Sequence, residues 1–371
     1  MSEFASLLNS FKKTAARKRP HAENVVVRPP SPPPAHPSFP SVHRDVGRGD
    51  DGGVGGSSDS FELSFLVIGA QKAGTSWLHS QLRRCDRLAL PRDRKEVHFW
   101  DWHHRRGFDW YVRQFDFPPR RRGAGAGGDE RRPLRYGEIT PCYVVLPPPT
   151  IAEIKRCFPG IKLIFVARNL VDRAWSAMVM ELRDRNMGMN PGEFADGVVE
   201  GGGDDERRGP KRSRQRVDAV SIAQRLRMQR QSSPSSWSDE YFLERLRSET
   251  HASRSDYAAH LRHWYAHFPP ESILLLDYRE IEADPRGLLL RVAMHVGLAE
   301  DEARAYVTSL REEDVRRRVN AADANDDETS RRALSRRPDL ERKMREHLLP
   351  YTRDFNEMLA ERGLSWKLSE V

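Results

Sequence analysis

The 371 residues contain only three cysteines, Cys85, Cys142 and Cys157, with no CxxC pair. That leaves neither a thiolate zinc site nor a disulfide framework to organise the chain. Long apolar runs are also missing. No stretch approaches the length that crosses a bilayer, and the first residues lack the continuous apolar core of a secretory signal. These absences predict a cytosolic chain rather than a Golgi-anchored one. The arginine runs at 120–122 and 316–318 lack interleaved aromatics, so solvated surface explains them more simply than a nucleic-acid groove, and no specific nucleic-acid partner is expected. There is no internal repeat, and no carboxylate cluster spaced to hold a metal.

Apolar residues are scarce in three stretches. Residues 1–60 include PPSPPPAHPSFP and GRGDDGGVGGSSDS, which have little to bury and many breakers of regular structure, so a disordered tail is expected. Phe4, Leu7, Leu8 and Phe11 lie at helical spacing ahead of Lys12, Lys13, Arg17, Lys18 and Arg19. Residues 4–19 therefore read as a solvated tail, a peripheral membrane contact or an organelle or nuclear address. Residues 118–135 and about 184–255 read as low-complexity insertions in one domain over 61–371. The second carries one helical segment near Val217 to Met228, with order returning at Asp256.

The charge is +8 with a pI near 9.5, which favours an anionic ligand. The most informative stretch is FLVIGAQKAGTSWLHSQL, Phe65 to Leu82. Four apolar residues are followed by Gly69, Gly74, two hydroxyl residues and the helically spaced Leu78 and Leu82, a pattern of strand, tight loop and helix. Such a loop points backbone N–H groups and the positive end of a helix dipole at one place, suited to phosphate. Gly69 and Gly74 have the spacing of a nucleoside-triphosphate loop, but Thr75 and Ser76 follow where that motif needs Lys and then Ser or Thr. The lysine comes earlier, at Lys72. A cation there suits a single phosphate with a charged leaving bond beside it better than a magnesium-bound triphosphate.

PRDRKEVHFWD sets Lys95, Glu96 and His98 beside Phe99 and Trp100. Apolar neighbours predict a partly buried carboxylate with its pKa raised toward that of a working base. IKLIFVA (161–167) is a second apolar strand, ending in Arg168, and the helical RNLVDRAWSAMVMEL places Ser176 eight residues on. A strand-end guanidinium and a helix hydroxyl would meet at one anion. Two apolar strands with phosphate-type groups at their C-terminal ends imply an open parallel sheet with its ligand in the crevice there. Tyr257, Leu261, Trp264 and Phe268 mark another helix, Ile273 to Leu276 a third strand, Leu288 to Val296 the next helix, and Leu340 to Leu359 the last.

Together these motifs resemble the PAPS-dependent sulfotransferases, most closely the heparan sulfate and carbohydrate branch, over most of Phe61 to Trp366. QKAGTS resembles that family's 5′-phosphosulfate loop, RNLVDRAWS its 3′-phosphate motif, KEVHFWD the stretch with its catalytic glutamate, and SDYAAHLRHWYAHFPPESILLLDYREI a helix-strand unit found across it. The resemblance implies an α/β fold, a P-loop-like three-layer sandwich with a central mainly parallel sheet flanked by helices. It implies sulfuryl transfer from 3′-phosphoadenosine 5′-phosphosulfate (PAPS), without a metal, to a hydroxyl or less readily an amine of a glycan or small metabolite. Lys72, Ala73, Gly74, Thr75 and Ser76 would hold the 5′-phosphosulfate, with Lys72 steadying the leaving oxygen. Arg168 and Ser176 would hold the 3′-phosphate that separates PAPS from ATP. Glu96 would be the general base, with His98 a polar neighbour, and Arg336 and Arg337 loosely match a late basic loop of the donor site. In the segment matching GEITPCYV, that branch often carries lysine where this chain has Ile139. A nucleotide kinase or NTPase is the competing enzyme class, weakened by Thr75 and by the lack of an apolar strand ending in a magnesium-binding Asp. A non-catalytic polyanion-binding protein is the third reading.

Overall fold

The computed structural model describes residues 61–116, 134–186, 237–317 and 333–370. The expected tail, its 4–19 stretch, the helical segment near 217–228 and most of both insertions fall outside these residues. The chain divides between Phe61 and Glu62.

Strands β1 (Leu63–Gly69), β2 (Leu88–Ala89), β3 (Arg135–Ile139), β4 (Lys162–Ala167) and β5 (Ile273–Asp277) form one sheet in the order β2-β3-β1-β4-β5, every pairing parallel. Helices flank it, giving the expected α/β sandwich. β1, β4 and β5 are nearly continuous apolar runs, as parallel strands covered on both faces require. After β1 the chain goes to one side for β2 and β3, then crosses to the other for β4 and β5. The direction reverses around β1, so a crevice opens at the carboxyl ends of β1 and β4.

Apolar patterning misses the two-residue β2 and also β3, whose sequence is RYGEI. Gly137 pairs with Phe65 of β1, and a Cβ there would lie 2.0 Å from the Phe65 ring. The ring fills the space a side chain would take. Gly137→Ala is therefore expected to destabilise the protein by about 1–3 kcal/mol through overpacking, read as a lower denaturant midpoint; an unchanged midpoint would mean that the ring moves aside freely.

The helix after the loop, α1 (Thr75–Leu82), is held from behind. Trp77 Nε1 donates to the Val315 carbonyl at 2.8 Å and Gln81 Nε2 to that of Asp314 at 2.9 Å, while Arg84 reaches both Asp314 carboxylate oxygens at 3.1 and 2.9 Å. Next come α2 (Phe108–Val112), α3 (Pro148–Cys157) and α4 (Leu170–Asn186). The region read as an insertion to residue 255 contains two helices from Trp237 onward, α5 (Asp239–Arg247) and α6 (Glu249–Ser255). Its apolar residues are few but helically spaced: Phe242, Leu243 and Leu246 are buried, and Phe242 meets Trp175 of α4 at 4.8 Å. Ser238 caps α5 by accepting from Tyr241 N at 3.2 Å.

Helix α7 (Tyr257–Tyr265) precedes β5, and α8 (Glu280–Ala283), α9 (Pro285–His295), α10 (Glu300–Ser309) and α11 (Glu312–Val315) follow it. The last, α12 (Pro338–Glu361), buries Leu340, Met344, Leu348, Phe355, Met358 and Leu359 along one stripe against α4, α5 and α7. Phe355 reaches Phe165 of β4 at 6.4 Å and Tyr257 at 5.3 Å, joining this helix to the sheet. Among the described residues no helix is long and apolar enough to cross a membrane.

Candidate active site

The loop between β1 and α1 turns on two residues with left-handed backbone, Lys72 at φ 66° and Gly74 at φ 79°. The left-handed backbone at Gly74 favours glycine, and a Cβ there would also lie 2.4 Å from Ile281 Cδ1, which would have to move aside. Gly74 caps α1, whose first residues are Thr75 and Ser76. The first N–H groups of a helix have no intrahelical partner and carry the positive end of its dipole, so the loop is shaped for an anion.

β4 delivers Arg168 beside that loop. Its Nη1 donates to the Lys72 carbonyl at 2.9 Å, and its guanidinium lies over the Tyr278 ring at 4.7 Å. Lys72 in turn extends its Nζ to 3.7 Å from Met180 Sδ on α4. Met180 lies one turn beyond Ser176, and both are half-buried. Residues four apart share a helix face, so the face bearing Ser176 is turned toward the loop. Arg168 and Lys72 thus meet at the end of the sheet, beside the α4 face that carries Ser176.

The segment after β2 approaches from the other side. Lys95 Nζ donates to Thr75 Oγ1 and Ser76 Oγ, both at 3.0 Å, and to Glu96 Oε1 at 2.8 Å. One ammonium therefore ties the carboxylate to the first turn of α1. The other carboxylate oxygen of Glu96 lies 3.3 Å from His98 Nε2, and His98 Nδ1 lies 2.8 Å from Asp101 Oδ2. The imidazole stacks on Trp102 at 3.7 Å.

The charges of this cluster correct the expectation of a raised carboxylate. Burial pushes the Glu96 pKa up, but hydrogen bonds and charge from His98 and Lys95 overcome it and bring it down to about 2. Burial alone would lower His98, yet Asp101 and Glu96 raise it to about 9. Apolar neighbours indicated the burial correctly and missed the two cations. The ion pair therefore contributes fully between the ordinary values of 4.5 for the carboxylate and 6.5 for the imidazole. Its histidine contribution is lost as pH rises through about 9, and its glutamate contribution as pH falls through about 2. The alkaline decline in denaturation midpoint above pH 6.5 is expected to be shallower in His98→Gln than in the native protein; identical declines would remove His98 as its source.

A buried carboxylate holds this segment in place. Glu138, fully buried at the end of β3, accepts from Thr140 Oγ1 at 2.6 Å, Tyr111 Oη at 2.6 Å, Tyr143 Oη at 2.8 Å and Val97 N at 3.2 Å. Phe99 N donates to Tyr143 Oη at 2.8 Å. The backbone on both sides of His98 is thus fastened to one cluster, which holds His98 at φ 55°, a conformation a non-glycine residue rarely adopts. Burial raises the Glu138 pKa against the pull of its hydroxyl donors.

The two late arginines stand at the start of the last helix. Arg337 donates to Asp239 Oδ1 at 3.0 Å and to the Trp237 carbonyl at 2.7 Å and covers the Phe242 ring, so it docks the start of α12 onto α5. Arg336 is exposed. Sequence reasoning did not select Lys95, Asp101, Glu138 or Tyr143 as site residues. Lys95 and Asp101 lie inside the KEVHFWD stretch and were within reach, whereas Glu138 carries no local signal.

The sulfotransferase domain family model matches residues 63–349. No curated protein matches the chain. Among solved structures, a sulfotransferase from Alicyclobacillus acidocaldarius is 17% identical, with 81% of this chain and 96% of that one covered and a TM-score of 0.47. Mouse sulfotransferase SULT7A1 complexed with PAP is also 17% identical, over 77% of this chain and 88% of that one, with a TM-score of 0.33.

Proposed function

The chain belongs to the sulfotransferase domain family, and from that premise we propose that it moves a sulfuryl group from PAPS to a hydroxyl, less readily an amine, of a carbohydrate or small-metabolite acceptor. Lys72, Ala73, Gly74, Thr75 and Ser76 hold the 5′-phosphosulfate, and Arg168 and Ser176 hold the 3′-phosphate. The donor supplies a sulfuryl group bonded to a phosphate leaving group. Glu96 takes the proton from the acceptor oxygen as that oxygen bonds to sulfur and the bridging S–O bond breaks. Lys72 and the N-terminus of α1 meet the charge that develops on the departing phosphate.

The observation that carries this reading is the junction at Lys72. Arg168 bonds its carbonyl and α4 touches its ammonium at the turn beyond Ser176, so groups suited to both ends of one nucleotide converge on a single loop. Lys95 then links that loop to Glu96.

The test is transfer of label from radiolabelled PAPS across glycans, phenols, sterols and small hydroxylated metabolites. Labelled product from at least one hydroxyl acceptor, formed without added metal, is the expected result. Hydrolysis of ATP in place of any transfer would favour the kinase or NTPase class.

A further inference from the structure

Ile139, which stands where the resembling branch often carries lysine, is fully buried in β3, so no cation enters the site from that position. A different element brings one. Arg254 lies on α6, inside the region read from sequence as an insertion, and its Nη1 donates to Gln71 Oε1 at 3.0 Å. Its Nη2 lies 4.0 Å from Cys142 Sγ, in the short turn after β3. Both contacts are with neutral groups, and among the described residues no carboxylate pairs with this half-buried guanidinium. An arginine left facing neutral partners beside a crevice has spare donors for an oxyanion.

The position is fixed. Arg173 Nη2 donates to Ser255 Oγ at 2.9 Å, the neighbouring Ser255 hydroxyl donates to the His251 carbonyl at 2.7 Å, and His251 Nε2 lies 2.9 Å from Glu181 of α4. Arg254 is therefore presented from a helix bound to the core. The strand order gives the side on which Cys142 lies. Arg168 and Ser176 come from β4 and the helix after it, on one side of β1, while Cys142 follows β3, on the other. The Cys142 thiol lies within the electrostatic reach of Arg254 and also of Glu96, Asp101 and Lys95. Arg254 thus bridges the loop after β1 and the turn after β3, on a helix that itself packs against α4.

Resting on the sulfotransferase reading above, we propose that Arg254 is an acceptor-recognition residue, which selects acceptors carrying a carboxylate or similar oxyanion near the hydroxyl to be sulfated. The test compares two probes under labelled PAPS, 4-nitrophenyl β-D-glucuronide and its C6 carboxamide, which offer the same hydroxyls and differ only in that a neutral amide replaces the carboxylate. The native enzyme is expected to favour the glucuronide in kcat/KM by about tenfold or more, the scale of one charge-assisted hydrogen bond, mainly through KM. In Arg254→Gln that ratio falls to about one and Arg254→Lys restores part of it, while 3′,5′-ADP affinity stays within about twofold of native.

A native enzyme that does not favour the glucuronide, whether it turns over both probes equally or neither, overturns the proposal, as does an unchanged ratio in Arg254→Gln. If Arg254→Gln weakens 3′,5′-ADP as far as Lys72→Ala does, the guanidinium serves the donor and the proposal also fails. Failure of the native protein to bind 3′,5′-ADP at all is a separate outcome that removes the sulfotransferase reading itself.

Discussion

Replacing Glu96 by Gln is expected to lower sulfuryl transfer by about 10²- to 10⁴-fold, the scale of a general base, while 3′,5′-ADP binds as before. The separation follows from the wiring. Glu96 is joined to the loop through Lys95, which keeps its own bonds to Thr75 and Ser76 when the carboxylate is replaced by an amide. With a pKa near 2 the carboxylate is ionised at neutral pH and ready to accept a proton. Lys95 and His98 hold the charge in place at the expense of basicity. Rates measured with saturating PAPS, beside calorimetric titration of 3′,5′-ADP, check both halves. Turnover retained in Glu96→Gln would take the base role from this residue, and loss of 3′,5′-ADP binding would show that Glu96 shapes the donor site instead.

The second large effect is expected at Arg168. Removing a charged donor from a buried phosphate contact costs about 1.5–3 kcal/mol, so Arg168→Ala should weaken 3′,5′-ADP by about 10- to 100-fold. Arg168 also bonds the Lys72 carbonyl and covers Tyr278, so its loss can loosen the loop as well. Titration with 5′-AMP, which lacks the 3′-phosphate, separates the two. If the guanidinium holds that phosphate, 5′-AMP affinity changes by about twofold or less, whereas loop damage weakens both nucleotides alike. Ser176→Ala, which removes a neutral hydrogen bond, should cost less than Arg168→Ala.

What could be read from sequence follows from what each residue does locally. β1, β4 and β5 are apolar because both faces of a parallel sheet are covered, and the Gly74 loop announces itself through backbone conformation. Arg168 is recognisable as a charge at the end of such a strand. β3 was hidden because Glu138 occupies a core position that hydroxyls from Tyr111, Thr140 and Tyr143 make tolerable, and those partners are distant in sequence or look ordinary. The lowered pKa of Glu96 was missed for a related reason: its apolar neighbours are contiguous and obvious, but the direction of the shift is set by where the Lys95 and His98 side chains point. The start of α5 was lost in a polar, glycine-rich surrounding, since Phe242 and Leu246 count as a core face only once Trp175 is opposite them. Arg254 came to the site by tertiary packing of that same region.

The central claim is that one loop holds a nucleotide bearing phosphates at both its 5′ and 3′ positions. Its most direct test is calorimetric titration of the native protein and Arg168→Ala with 3′,5′-ADP in the absence of magnesium, beside ATP with magnesium. The expected result is saturable binding of 3′,5′-ADP to the native protein, weakened in Arg168→Ala, with little binding of ATP. Binding of magnesium-ATP as tight as that of 3′,5′-ADP, or 3′,5′-ADP binding indifferent to Arg168, would contradict it.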